Sequence, residues 1–215
     1  MPIVTISREY GAGGLTIGCR VAESLGAELI DSVLVEEVAR RLRIPEEQAR
    51  RWDERREGVA LRLLRSMRAA HPEYAAGSAA PEVLAGATDP DEIERVVREV
   101  ILEQARGGNA VIVGRGAAFL LPHGPGTHHF RVIAPRDWRL ARVQEEGEDP
   151  QEVARNVDRY DRERAAYVRH HFGCDPGDPL HYCLVLNTGR LGIEAAARLV
   201  EDIARGTVPC GRGAA

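Results

Sequence analysis

Residues 2–6, "PIVTI", are an apolar, β-branched run that leads directly into "SREYGAGGLTIG" (residues 7–18). A strand that enters a glycine-rich loop and leaves it as a helix has few places to go. Glycines let the backbone curl around an anion, and the next helix points its positive end at the same spot. That context, strand before and helix after, makes "GAGG" (11–14) informative as a phosphate site. A tight strand-to-helix turn with no ligand is the plainer reading, although one glycine would suffice for it.

The rest of the chain repeats the alternation. The first helix is expected to run to about Leu25 and stop at Gly26. "AELI" is a short second strand. "SVLVEEVARRLR" follows with Leu34, Val35, Val38 and Leu42 at helical spacing. "AVIV" (110–113), "FRVIA" (130–134) and "YCLVLN" (182–187) are further strands, with Pro135 at a helix start and "IEAAARLVEDIAR" as the last helix. Strands separated by helices predict a five-stranded parallel sheet with helices on both faces. About 43–106 reads as a helical insertion. It holds an Ala/Gly-rich loop before "DPDEIERVVREVILEQARGG", a helix with Asp89 as cap, Pro90 in its first turn and Gly107–Gly108 at its end. With 215 residues, all of this fits one domain, 1–215.

The charge balance narrows the function. The formal net charge is −4, which gives no electrostatic footprint for nucleic acid. Lysine is absent, so all 29 basic residues are arginines, permanently charged and shaped for bidentate phosphate contacts. The four cysteines, at 19, 174, 183 and 210, lack C-x-x-C spacing. No run reaches membrane-spanning length, and residues 1–6 are too short for a leader. These features predict a reduced, cytoplasmic protein with no membrane partner. Two histidine pairs stand at 128–129 and 170–171; adjacent side chains on a strand point to opposite faces, so neither pair is a natural chelate, and no metal-ligand role is assigned.

Four places carry candidate chemistry. Gly11, Ala12, Gly13, Gly14, Leu15 and Thr16 form the loop. Asp31, after the second strand, reads either as a ligand-side carboxylate or as the cap of the next helix. Arg115 lies at the C-terminal end of the third strand, the edge where open α/β sheets bind ligands; a plain surface arginine is the alternative. "ARNVDRYDRERAAYVRHH" places Arg155, Arg159 and Arg162 on one helical face. It is either a mobile cationic cluster or a solvated helix laced with ion pairs.

"REYGAGGLT" resembles the "GPSGAGKGT" phosphate loop of bacterial cytidylate kinases, with Gly14 at the lysine position and Thr16 at the threonine. "VTISREYGAGG…IG" looks still more like the opening of the cytidylate kinase-like family, which shows "SRxxGSGG" and likewise lacks the lysine. The likeness continues through "ELIDSVLVEEVA", "VIVGRGAAFLL", "FRVIAPRDWRLARV", "DRYDRERAAYVRHHFG" and "LVLNT", and is weak only across about 45–105. It implies a P-loop NTPase fold of the nucleoside monophosphate kinase type, with an acceptor-binding insertion and an Arg-rich lid at about 145–175. The implied reaction moves the γ-phosphoryl group of ATP, with Mg²⁺, to a nucleoside monophosphate, cytidylate by family default. The alternatives are a catalytically inactive nucleotide-binding regulator and a kinase of another small metabolite. Small-molecule nucleotides are the implied partners; oligomeric state is left open.

Residue by residue, the resemblance implies catalytic arginines at Arg159, Arg162 and Arg164, since Asp158, Asp161 and Arg164 follow the D-x-x-D-x-x-R lid pattern. Arg8, in the family's "SR", is the nearest replacement in sequence for the missing lysine. Arg139 and Arg142 lead into the lid and support it. Arg115 matches the arginine of the "GRD" motif, with Gly116 where the aspartate stands. Asp31 matches the first residue of "DTGA", beside the acceptor. Asn187 and Thr188 fall on the adenine loop.

Overall fold

A computed structural model describes residues 1–30, 41, 90–145 and 150–208. Two compact units divide the chain: Met1–Leu29 with Gly107–Ala215, and Ile30–Arg106.

The first unit is built on parallel strands. In chain order the elements are β1 (Ile3–Arg8), α1 (Gly14–Leu25), β2 (Glu28–Ile30), α2 (Pro90–Gly107), β3 (Ala110–Val113), α3 (Ala117–Leu120), β4 (Thr127–Ile133), α4 (Arg136–Glu145), α5 (Pro150–Phe172), β5 (Leu184–Asn187), α6 (Thr188–Leu191) and α7 (Ile193–Ala204). The sheet order is β2-β3-β1-β4-β5. β1 runs parallel to both neighbours, and β4 runs parallel to β5. The strand that carries the glycine-rich loop is therefore the central one. Its register sets Ile6 opposite both Val113 and Phe130, so the C-terminal ends of β1, β3, β4 and β5 come out along one edge.

Side-chain alternation explains the main core. Val4 and Ile6 share a face of β1 with Val111, Val113, Phe130 and Val132 of its neighbours, and α1 and α7 cover that face through Ile17, Val21, Ala196, Ala197 and Val200. Each such buried Val, Ile or Phe side chain contributes about 1.5–3 kcal/mol relative to exposure, and each alanine less. Gly18 lets α1 approach closely, since a Cβ there would sit 2.6 Å from Val113 Cγ2. α1 ends as the sequence predicts: Gly26 at φ 58° caps it, its N–H reaching the carbonyls of Ala22 and Glu23. A smaller core gathers Val143 of α4 with Val153 and Val157 of α5 around Tyr10.

β4 begins at Thr127, three residues before the hydrophobic run suggests. The reason is His129, a polar ring on a fully buried strand position. Its Nδ1 is hydrogen-bonded at 2.7 Å to the hydroxyl of buried Thr5, opposite it on β1. Burial, helped by the nearby His123, pushes the His129 pKa down to about 4. The unfolded imidazole takes its proton near its ordinary value of 6.5, the folded one only near 4. This contribution is thus fully present above pH 6.5 and is lost as pH falls to 4, about 3 kcal/mol in all. Denaturant titrations at pH 7.5 and pH 4 are expected to show a smaller acid loss in the double variant Thr5→Val, His129→Leu than in the wild type. An equal loss in both would refute the assignment.

In the second unit, α2 buries Val96, Val97, Val100 and Ile101. Arg41 forks onto Glu103 through two hydrogen bonds of 3.1 and 2.6 Å. Asp31, the "SVLVEEVARRLR" helix apart from Arg41, Asp89 and the Ala/Gly-rich loop lie outside the described residues.

Candidate active site

The loop follows from its glycines. Gly11 and Gly13 have φ of 77° and 82°, a left-handed conformation that side chains resist. Gly13 caps α1, and the Ile17 N–H makes the first helical bond, to the Gly13 carbonyl at 3.0 Å. The N–H groups of Gly14, Leu15 and Thr16 precede that bond and have no acceptor within the helix. Such a turn presents several donors and a helix dipole to one anion. The loop is anchored from below: buried Thr188 donates its hydroxyl to the Ala12 carbonyl at 2.8 Å. That contact ties the loop to the end of β5.

α5 lies across the other side. Asp161 Oδ1 accepts the Tyr10 N–H at 2.7 Å, and Oδ2 takes Nη1 of Arg139 at 2.5 Å. Arg139 is only 7% exposed. It also donates from Nη1 to the Tyr10 carbonyl and from Nε to the Ala134 carbonyl, both at 3.0 Å. Glu9 Oε2 lies 3.5 Å from Arg139 Nε and accepts the Ala134 N–H at 3.1 Å. One buried guanidinium and two carboxylates thus hold α4, α5 and the entrance of the loop in register. Arg142 reaches the Gly11 carbonyl and the Thr16 hydroxyl, each at 3.4 Å. Arg164 Nη1 donates to the Arg8 carbonyl at 3.3 Å.

Of the arginines read from sequence, the structure brings Arg139, Arg142 and Arg164 to the loop. Arg159 stays with its own helix, bonded to Asn156 at 2.8 Å and stacked over Tyr160. Arg162 is exposed. Asp158 pairs with Arg136 at 2.8 Å, and that hydrogen bond holds its carboxyl below the usual range. Thr188 spends its hydroxyl on the Ala12 carbonyl, and Asn187 closes β5 beside it. Arg115 sits between Gly114 and Gly116, and all three have positive φ, 81°, 57° and 67°. A non-glycine residue held there is strained, and such strain gathers at functional sites. Glu9, Tyr10 and Arg136 were not legible as site residues. Only the i, i+3 spacing of Asp158 and Asp161 hinted that α5 carried partners for them.

A glycine-rich loop between the central strand of a five-stranded parallel sheet and its following helix is the layout of P-loop α/β proteins. The cytidylate kinase-like family model matches residues 3–190, and the chain belongs to that family. A search of curated proteins found no match. Among solved structures, an uncharacterized protein from Eubacterium ventriosum ATCC 27560 superimposes with a TM-score of 0.66 at 19% identity, covering 95% of this chain and 99% of that one. Shikimate kinase from Bacteroides thetaiotaomicron aligns over 95% of this chain and 98% of its own at 14% identity, with a TM-score of 0.47. Among the described residues no helix is long and apolar enough to cross a membrane, and no group of three His, Cys, Asp or Glu is placed to hold a metal ion.

Proposed function

We propose that the chain transfers the γ-phosphoryl group of ATP to a nucleoside monophosphate, with cytidylate the first acceptor to test. One observation carries the reading. The Gly11–Thr16 turn and the start of α1 have the geometry of an anion cradle; Arg142 of α4 touches the turn itself, and Arg139 of α4 and Arg164 of α5 hold the residues that lead into it. Phosphoryl transfer needs little covalent help from a protein. Positioning and charge neutralisation do most of the work, and both are what such a loop and such arginines supply. ATP phosphates suit the cradle because its left-handed glycines turn the N–H groups that open α1 toward one point. A Mg²⁺ ion carried on those phosphates would find the Thr16 hydroxyl in the first turn of α1.

The acceptor phosphate is assigned to Arg115, on the ligand-binding edge of the sheet. Arg115→Ala is expected to raise the KM for the monophosphate at least tenfold while changing that for ATP less than threefold. Equal shifts for the two substrates would remove Arg115 from the acceptor side. The reading as a whole is tested by ³¹P NMR of the full chain with Mg²⁺-ATP and a panel of nucleoside monophosphates and small hydroxy acids. A diphosphate of the acceptor nucleoside, formed in equal amount with ADP, supports it. A phosphorylated hydroxy acid instead would make the chain a metabolite kinase, and tight ATP binding with no transfer would make it a regulator.

A further inference from the structure

The loop has no lysine, yet the space that a lysine stem would need beside it is filled. A Cβ built on Gly14 would lie 2.6 Å from Arg8 Cβ, 2.8 Å from its Cγ and 3.5 Å from its Cδ. The Arg8 stem therefore occupies the place where a side chain at 14 would begin. Its guanidinium continues to the end of β3, where a Cβ on Gly114 would collide with Nη1 and lie 2.9 Å from Cζ. The Gly114 N–H bonds the Ile6 carbonyl at 3.0 Å, so this guanidinium sits between the C-terminal ends of β1 and β3. Gly14 is the first residue of α1, where any side chain has an acceptable backbone and glycine costs about 1 kcal/mol relative to alanine. Its identity is explained by what occupies its missing side chain. The phosphate-loop pattern G-x-x-x-x-G-K begins with glycine and ends with the cation. Here the order over residues 8–14 is R-x-x-x-x-G-G.

We infer that glycine and cation have exchanged ends of the loop: Arg8 supplies, from the last residue of β1, the charge that a lysine at 14 would bring to the phosphates, and Gly14 is a glycine because it leaves room for the Arg8 stem. This rests on the reading of the loop as an ATP phosphate site. Arg8 is then a catalytic residue, and it and Gly14 act as one unit.

Five variants test it: Arg8→Met, which keeps the stem and removes the charge; Arg8→Gly, which removes both; Gly14→Ala, which puts a Cβ into the stem; the Arg8→Gly, Gly14→Ala pair; and Arg8→Gly, Gly14→Lys, which restores the usual order. Melting temperature, ATP and AMP affinity and single-turnover rate are measured on each, with Arg8→Gly as reference for the last two. Arg8→Met is expected to slow transfer by about 10²–10³, with a smaller effect on ATP affinity and a melting temperature close to wild type. Gly14→Ala should slow it too, and the Arg8→Gly, Gly14→Ala pair should be no slower than Arg8→Gly alone, because without the stem the new Cβ meets nothing and the two residues share one function. Arg8→Gly, Gly14→Lys should transfer at least tenfold faster than Arg8→Gly. Additive losses in the pair, or a lowered melting temperature with turnover spared in Arg8→Met, would overturn the inference. If the wild type transfers nothing, the kinase reading fails and affinities decide. A fall in the ATP-over-AMP preference of at least tenfold in Arg8→Met then upholds Arg8 as the phosphate cation, and an unchanged preference overturns it.

Discussion

Asp161→Ala is expected to destabilise the first unit by about 3 kcal/mol, because it removes one partner of a buried ion pair and leaves the other in place. For a chain of this size that corresponds to a fall in melting temperature of about 6–12 °C. The Arg139 guanidinium is nearly buried, and its shortest charge contact is Asp161. Glu9 stays 3.5 Å away and limits the loss, so the expected value lies at the lower end of what orphaned buried charges cost. The same substitution frees the Tyr10 N–H, which Asp161 also holds at 2.7 Å. Asp161→Asn keeps an acceptor for Tyr10 but loses the charge, and should cost roughly half as much by the usual margin of charged over neutral hydrogen bonds. Transfer should slow in both variants, more in the alanine. A fall in rate without any fall in melting temperature would mean that Asp161 acts on substrate and does not brace the loop. Differential scanning fluorimetry beside a turnover assay separates the two.

The strands and the loop were legible because they rest on local signals. "AVIV" is a strand at 110–113 since four consecutive buried positions leave no polar face to read otherwise, and Gly26 stops α1 through a left-handed cap that glycine announces. β4 was misjudged at its start since His129 hides a buried partner, Thr5, that lies 124 residues away in sequence. The lid arginines illustrate the same limit. Helical spacing places Arg155, Arg159 and Arg162 on one face of α5, but nothing in that spacing says which face turns to the loop. Contacts with Arg8, Tyr10 and Arg139 decide it, and they select Asp161 and Arg164. The family pattern named those residues without their geometry. The order of elements and the glycine positions were thus available from the chain, while the Arg139–Asp161–Glu9 brace depends on residues brought together from three separate stretches.

Gly13→Val is expected to lower ATP affinity by at least about 100-fold while the sheet persists, and the structure changes the reason. A simple view of the loop has the new side chain filling the phosphate's space. The Cβ would instead point at α7, 2.7 Å from Ile193 Cδ1 and 2.9 Å from its Cγ1. Ile193 packs against the main core, so it can yield only by moving the start of α7 or by letting the loop open. The loop is the softer side. A β-branched residue at φ 82° adds its own backbone strain of about 1–3 kcal/mol, which an extended loop relieves. Once Gly13 leaves the left-handed region, α1 loses its cap and the N–H groups of Gly14 to Thr16 no longer converge. Melting temperature should therefore fall modestly and ATP affinity severely. Gly26→Ala is the matched control: φ is 58°, and nothing lies within 4 Å of its Cβ. It carries a left-handed cost of about 1–2 kcal/mol at the far end of the same helix and should leave ATP affinity unchanged. Isothermal titration with ATP on both variants reads the difference. Equal affinities in the two would show that the turn at Gly13 is not where the phosphates bind.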